Sequence, residues 1–237
     1  MKNFIARIRG DNTRKSDGAK QLQIYATDVD YGIIVVSVNN PKFSPIILDK
    51  YLLLCEYGDV KPLIVLNKTD LTGEIPPTLD YYEKELGIKV IHTSTVSNTG
   101  IDELRTAVAN KTCVFLGKSG VGKSSLINAL KGTQEIKVGK VSEGYGEGKH
   151  TTTSTEKYLI GDATWVIDTP GLRNIDVSNI NPQLLKELYP DFVKLAGGCK
   201  YSNCLHIKEN ECAVKKAVEE GLIAKERYDN YLKIGKL

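Results

Sequence analysis

One run of residues can cradle a chain of phosphates. Gly117, Lys118, Ser119, Gly120, Val121, Gly122, Lys123 and Ser124 satisfy the spacing G-x-x-x-x-G-K-[ST] in full. Glycines at those places let successive backbone N–H groups turn inward toward the α and β phosphates. The apolar run TCVFL precedes them and an amphipathic run from Lys123 to Lys131 follows. A strand end, a loop and a helix start are therefore expected in that order. The positive end of the helix attracts anions, and Ser125 lies beside it in the first turn. Lys123 reaches the β and γ phosphates, and Ser124 offers a hydroxyl to magnesium.

A second string, NKTD at 67–70, can read a base. Asp70 can accept two hydrogen bonds from the N–H edge of guanine, whereas the edge of adenine differs. Asn67 is expected to bond the other side of the base, and the stem of Lys68 to cover its face. Sites built on buried polar pairing reject the wrong partner strongly.

A third group has the chemistry of a metal centre. Cys199, Cys204, His206 and Cys212 are soft and imidazole donors of the kind zinc prefers in a closed tetrahedral site. Four protein ligands leave no open position, so the expected role is structural. Cys55 and Cys113 lie in apolar segments and are expected to be buried thiols.

Strands and helices must position these groups. GIIVVSV (32–38), KPLIVLN, KVIHTST and TCVFLG are apolar and β-branched, as buried parallel strands are. SPIILDKYLLLCEYG and TLDYYEKELG have helical spacing and are expected to stop at Gly58 and Gly87. Thr99 and Asp102 are spaced as a capping pair for the helix TGIDELRTAVA. EKYLI and ATWVID suggest a hairpin turning at Gly161-Asp162. GKVSEGYGEGKHTTTST has no usable periodicity and is expected to be a loop. CAVKKAVEEG and IAKERYDNYLKI predict two C-terminal helices, with Ile223, Arg227, Tyr228 and Tyr231 spaced to pack.

Alternating strands and helices imply an α/β fold, a doubly wound and mostly parallel sheet. A change of pattern divides the chain into a basic N-terminal arm (1–22), the sheet domain (23–178) and a small helical metal-binding unit (179–237). The chain has 237 residues and a net charge of +3, too small to establish a nucleic-acid partner. The arm is more basic than the rest: Lys2, Arg7, Arg9, Arg14, Lys15 and Lys20 face only Asp11 and Asp17. Such an arm is either a solvated surface or a contact for RNA phosphates. No apolar run approaches the roughly 20 residues that span a bilayer. A cytoplasmic location is expected, with no membrane partner.

The phosphate loop, NKTD and DTPG (168–171) together resemble the signature set of the translation-factor class of GTPases. In most members the phosphate loop comes first and NKxD last. Here NKTD leads, then HTST (92–95), the phosphate loop, GKHTTT (148–153) and DTPG. That order is a circular permutation of a P-loop NTPase, and it leaves the sheet unchanged because the old termini lie close together. Ser94 and Thr95 are then the positions that support the base.

The permuted order joined to a C-terminal Cys-Cys-His-Cys unit resembles the RsgA (YjeQ/YloQ) family of ribosome-associated GTPases. The matching strings include RKSDG, LDKYL, VLNKTDL, GKSGVGKSSLINAL, GKHTTT, DTPGL and CKYSNCLHIKENECAV. The resemblance implies hydrolysis of GTP to GDP and phosphate, late in maturation of the small ribosomal subunit and stimulated by binding it. The implied partners are GTP, GDP, the small subunit and its rRNA, with the protein a monomer. Structural Zn2+, and Mg2+ bound with GTP, are the implied metals. Members usually carry an N-terminal OB-fold barrel; about 20–25 residues precede the first sheet strand here, too few for one, so the barrel is expected to be missing.

For catalysis, the γ phosphate contacts are expected from Lys123 and the Gly171 N–H. Magnesium is expected on Ser124, on Asp168 through water, and on Thr152, with Thr151 and Thr153 as alternatives. Leu172 stands where many related GTPases have a water-orienting glutamine. The resemblance points to His150 as the catalytic substitute. Because DTPG runs straight into the C-terminal unit, nucleotide state is expected to travel through residues 172–195. The alternative reading is a nucleotide-gated RNA clamp in which hydrolysis is incidental.

Overall fold

The computed structural model describes residues 3–8, 24–71, 74–132, 156–161, 163–168, 177 and 180–237. Its centre is a sheet of six strands: β3 (Tyr31–Ser37), β4 (Lys61–Asn67), β5 (Val90–His92), β6 (Thr112–Leu116), β7 (Glu156–Ile160) and β8 (Thr164–Asp168). The spatial order is β5-β4-β3-β6-β8-β7. All neighbours are parallel except β7 and β8, which form the expected antiparallel hairpin.

Alternation along the strands feeds two cores. Ile33, Val35, Leu63, Val65, Cys113 and Phe115 face one side. There they meet α3 (Ile101–Ala107) and α4 (Lys123–Lys131) through Ile101, Leu104, Leu126 and Ile127. Ile34, Val36, Ile64, Leu66, Val114 and Leu116 face the other side. That side is covered by α1 (Pro45–Tyr57), α2 (Thr78–Lys84) and the C-terminal helices α5 (Pro182–Glu187), α6 (Pro190–Ala196), α7 (Ala213–Glu219) and α8 (Lys225–Gly235). A single apolar core thus runs from the sheet into the metal-binding unit.

α1 ends at its C-cap Gly58, as expected, with φ −101°. A Cβ there would sit 1.7 Å from the Phe4 carbonyl oxygen, so the glycine admits a neighbouring strand. α2 stops at Lys84, before Gly87, which adopts φ +65° in the following turn. Thr99 does not cap α3: Gly100 stands at that position with φ 67°, and the Thr99 carbonyl accepts from Ser94 N–H. Ile223 precedes α8 rather than lying within it, although it is buried as expected.

The N-terminal residues are not only an arm. β1 (Phe4–Ala6) pairs antiparallel with β2 (Ile24–Thr27), and Ile5, Ala6 and Ile8 are buried. Arg7 is exposed; Lys2, Arg9, Arg14, Lys15 and Lys20 lie outside the described residues. Among the described residues no helix is long and apolar enough to cross a membrane.

Candidate nucleotide site and metal centre

The parallel strands deliver their signature strings to one edge of the sheet. NKTD leaves β4, the phosphate loop leaves β6, and Asp168 ends β8 opposite Phe115. Ligands bind outside the carboxyl ends of such strands.

Asn67 joins two of these loops. Its Nδ2 donates to the Val121 carbonyl at 2.9 Å, and its Oδ1 accepts from Thr93 Oγ1 at 3.0 Å. The side chain is 1% exposed. These two bonds fasten the phosphate loop beside the NKTD loop. The geometry also explains Gly122: with φ +100°, a Cβ there would stand 2.2 Å from Asn67 Nδ2.

Asp70 is exposed at the loop tip and is aimed from behind. Ser94 Oγ donates to its Oδ1 at 2.5 Å while accepting the N–H groups of Val96 and Ser97, each at 3.2 Å. Ser94 is wholly buried. One hydroxyl thus fixes the acidic group and its supporting turn together. Thr95 follows Ser94 and is half-buried. Lys68 adopts φ 62° and donates through Nζ to the Asn40 carbonyl, which lays its stem across a third loop. Burial lowers the Lys68 pKa, and Asp70 opposes that shift.

Within the phosphate loop, Gly117, Gly120 and Gly122 all have positive φ. Lys123 is buried, its Nζ donating to the carbonyls of Gly117 at 2.6 Å and Lys118 at 2.9 Å. Ser124 and Ser125 follow in the first turn of α4. Ser124 and Asp168 bring hard oxygen donors, the type magnesium takes, to this same edge. His150, Thr151, Thr152, Thr153, Gly171 and Leu172 lie outside the described residues.

The four zinc-type residues converge. Their ligand atoms all lie within 4.8 Å of one another. Cys199 Sγ is 3.9 Å from Cys212 Sγ and 3.7 Å from His206 Nδ1, and His206 Nδ1 is 3.3 Å from Cys212 Sγ. Tetrahedral zinc with Zn–S bonds of about 2.3 Å has ligand edges of about 3.8 Å, so these residues fit the ion. Burial, with Lys186 adding to it, lowers the His206 pKa and favours the neutral imidazole that ligates. Burial raises the Cys204 thiol to about 12, so a bound cation must displace its proton.

Three successive loop carbonyls beside the centre are held by side chains. Tyr228 and Tyr231 hydroxyls donate to His206 O at 2.6 Å and Leu205 O at 2.7 Å, and Lys186 donates to Cys204 O at 3.1 Å. The Glu209 carboxylate collects the N–H groups of Leu205, Ile207 and Lys208 at 2.7–3.0 Å.

The family model described as RsgA GTPase matches residues 9–178. The chain belongs to the RsgA GTPase family. A curated member from Flavobacterium psychrophilum, named small ribosomal subunit biogenesis GTPase RsgA, is 34% identical over 98% of this chain and 71% of its own length. One of the same name from Geobacillus thermodenitrificans is 41% identical over 86% of this chain and 71% of its own. The crystal structure of YjeQ from Thermotoga maritima aligns with TM-score 0.74 at 32% identity, covering 99% of this chain and 75% of that one. YloQ, described as a circularly permuted GTPase, aligns with TM-score 0.68 at 28% identity over 92% and 75%.

Against this RsgA-type frame, the sequence reading missed the residues that hold the named ones. Asn40 lies outside every quoted string, whereas Thr93 lies inside HTST and Glu209 inside CKYSNCLHIKENECAV without a role assigned to either. Asp49 did carry a signal: it is a lone carboxylate inside IILDKYLLLC, and a charge in an apolar helix needs a buried partner.

Proposed function

We propose that this chain binds GTP and GDP and hydrolyses GTP in the biogenesis of the small ribosomal subunit, the role in its curated relatives' names. The observation that carries the nucleotide part is the Asn67 bridge, which fastens the Asp70 loop to the Lys123 loop so that one purine nucleotide can span both. Asp70, set by Ser94, accepts the guanine N–H edge. Lys68 covers the base face. Loop N–H groups from Gly117 to Ser125 hold the phosphates, and Lys123 turns from its carbonyl partners to the β and γ oxygens.

Phosphoryl transfer to water needs mostly positioning and charge stabilisation. Water oxygen forms a bond to the γ phosphorus while the bond to the β–γ bridging oxygen breaks, leaving GDP and phosphate. His150 orients that water, and the Gly171 N–H stabilises a γ oxygen. Ser124, Asp168 and Thr152 would hold magnesium, which when bound neutralises charge on the phosphate oxygens. Cys199, Cys204, His206 and Cys212 would hold structural zinc, closing a loop too short to bury a core of its own. The working units are 1–22, 23–178 and 179–237. The reading extends to an rRNA contact and to a cytoplasmic monomer.

Titration with GTP, GDP and ATP, followed by turnover with and without purified small subunits, tests the reading. Guanine-selective binding and a rise in turnover with subunits are expected. Equal affinity for ATP overturns the base assignment, and RNA binding without stimulation favours a clamp. His150→Ala is expected to keep GTP affinity and lose subunit-stimulated turnover; full turnover removes His150 from the mechanism.

A further inference from the structure

Helix α1 touches both the phosphate loop and the C-terminal unit, from opposite faces. Ile47 lines a groove together with Lys118 and Val121 of the phosphate loop. Tyr51, one turn further on and 1% exposed, takes a hydrogen bond from the Gly117 backbone. Residues four apart share a helix face, whereas Asp49 points about 200° from Ile47 at 100° per residue.

On its far face α1 packs against α8. Arg227 of α8 is 2% exposed and lies between two carboxylates. Its Nη1 pairs with Asp49 Oδ1, and its Nε and Nη2 each reach Asp191 at 3.2 Å. Asn230 Nδ2 donates to Asp49 Oδ2 at 2.7 Å, and Tyr82 donates to Asp49 Oδ1 at 2.8 Å. Tyr81 donates to Asp191 at 3.0 Å, and the Tyr189 ring stacks 4.2 Å from the guanidinium carbon. Tyr228 and Tyr231 of the same helix grip the carbonyls of the metal-ligand loop. The chain of contacts from Gly117 to His206 is thus continuous, and buried as far as Arg227.

We propose that α1 is the mechanical link between phosphate loop and metal-binding unit, with Tyr51 the positioning residue for Gly117 and Asp49 the anchor of α8. The link rests on the nucleotide reading above. It runs through helix packing and does not require the covalent path 172–195. Nucleotide that orders Gly117 steadies Tyr51, α1 and, through Asp49 and Arg227, the seating of α8. Coupling between sites is reciprocal, so loosening α8 lowers nucleotide affinity by the same factor.

Amide exchange of the full-length, zinc-loaded chain tests this, with GDP affinity measured on the same samples by fluorescent GDP. GDP is expected to slow exchange in 225–235 at least about fivefold, the lower range for coupled sites. Tyr51→Phe removes one oxygen and is expected to weaken GDP by no more than about fivefold while abolishing the response of α8. Asp49→Asn keeps the shape of the anchor and is expected to speed exchange in α8 and weaken GDP about fivefold. GDP binding that leaves α8 unchanged in the wild type overturns the link alone, as does a normal α8 response in Tyr51→Phe. Unchanged GDP affinity in an Asp49→Asn protein with accelerated α8 exchange also overturns it. Failure to bind GDP overturns the nucleotide reading and the link together.

Discussion

Ser94 aims Asp70, the residue proposed to read guanine. Its hydroxyl gives its hydrogen to Asp70 and takes two loop N–H groups. Ser94→Ala removes the acceptor of those N–H groups and lets the carboxylate swing. A hydrogen bond to a charged group contributes about 1.5–3 kcal/mol, so GDP affinity is expected to fall at least about 10-fold. Affinity for ATP should be unchanged, narrowing the preference between the two purines; calorimetric titration of both nucleotides checks this. Equal loss for both would place Ser94 in general loop stability.

At the scale of elements, the N-terminal hairpin is seated by a missing side chain. Phe4 N–H donates to the Gly58 carbonyl at 3.0 Å, and the Phe4 carbonyl lies where a Gly58 Cβ would be. The Phe4 and Tyr57 rings meet edge to face, 6.0 Å apart. Gly58→Ala must displace β1 or the end of α1. A destabilisation of about 1–3 kcal/mol is expected, the range for overpacking, with faster amide exchange in 4–8 and little change around Gly117. Urea unfolding and exchange report the two effects separately.

The loop between the metal ligands carries its own pH dependence. Burial, the largest influence on Glu209, raises its pKa, but the N–H groups of Leu205, Glu209, Ile207 and Lys208 together outweigh it and hold the value at about 2. The ordinary value is 4.5. A depressed carboxylate stabilises the fold fully above its unfolded pKa and loses that contribution as pH falls through the folded value. The stability difference between wild type and Glu209→Gln should therefore be constant above about pH 5 and shrink toward pH 2. Denaturant midpoints across that range measure it.

For the whole molecule, the decisive feature is a salt-bridge cluster inside the seam between α1, α2, α6 and α8. Burial raises the Asp49 pKa while Arg227 lowers it, so the carboxylate depends on its partner to stay charged. Removing one member of such a pair costs about 3–5 kcal/mol, because the other charge stays buried alone. Arg227→Met should therefore destabilise the whole chain in one transition, not just the C-terminal unit, since both share one core. Two separate melting transitions would contradict that shared core.

The amino-acid sequence by itself determined the chemistry that local spacing can encode. The phosphate-loop motif, NKTD, the Cys-Cys-His-Cys group and the permuted order are patterns of short strings, and the strands between them alternate between two cores as their apolar runs require. Tertiary structure alone decided what each group leans on. Asn67 fastens Val121 of the phosphate loop, Gly58 yields to a strand more than fifty residues away, and Arg227 finds Asp49 across the core. Hydrogen bonds and ion pairs between distant segments depend on how helices are seated on the sheet, and that seating is fixed by the summed packing of both cores. No window of neighbouring residues contains that sum.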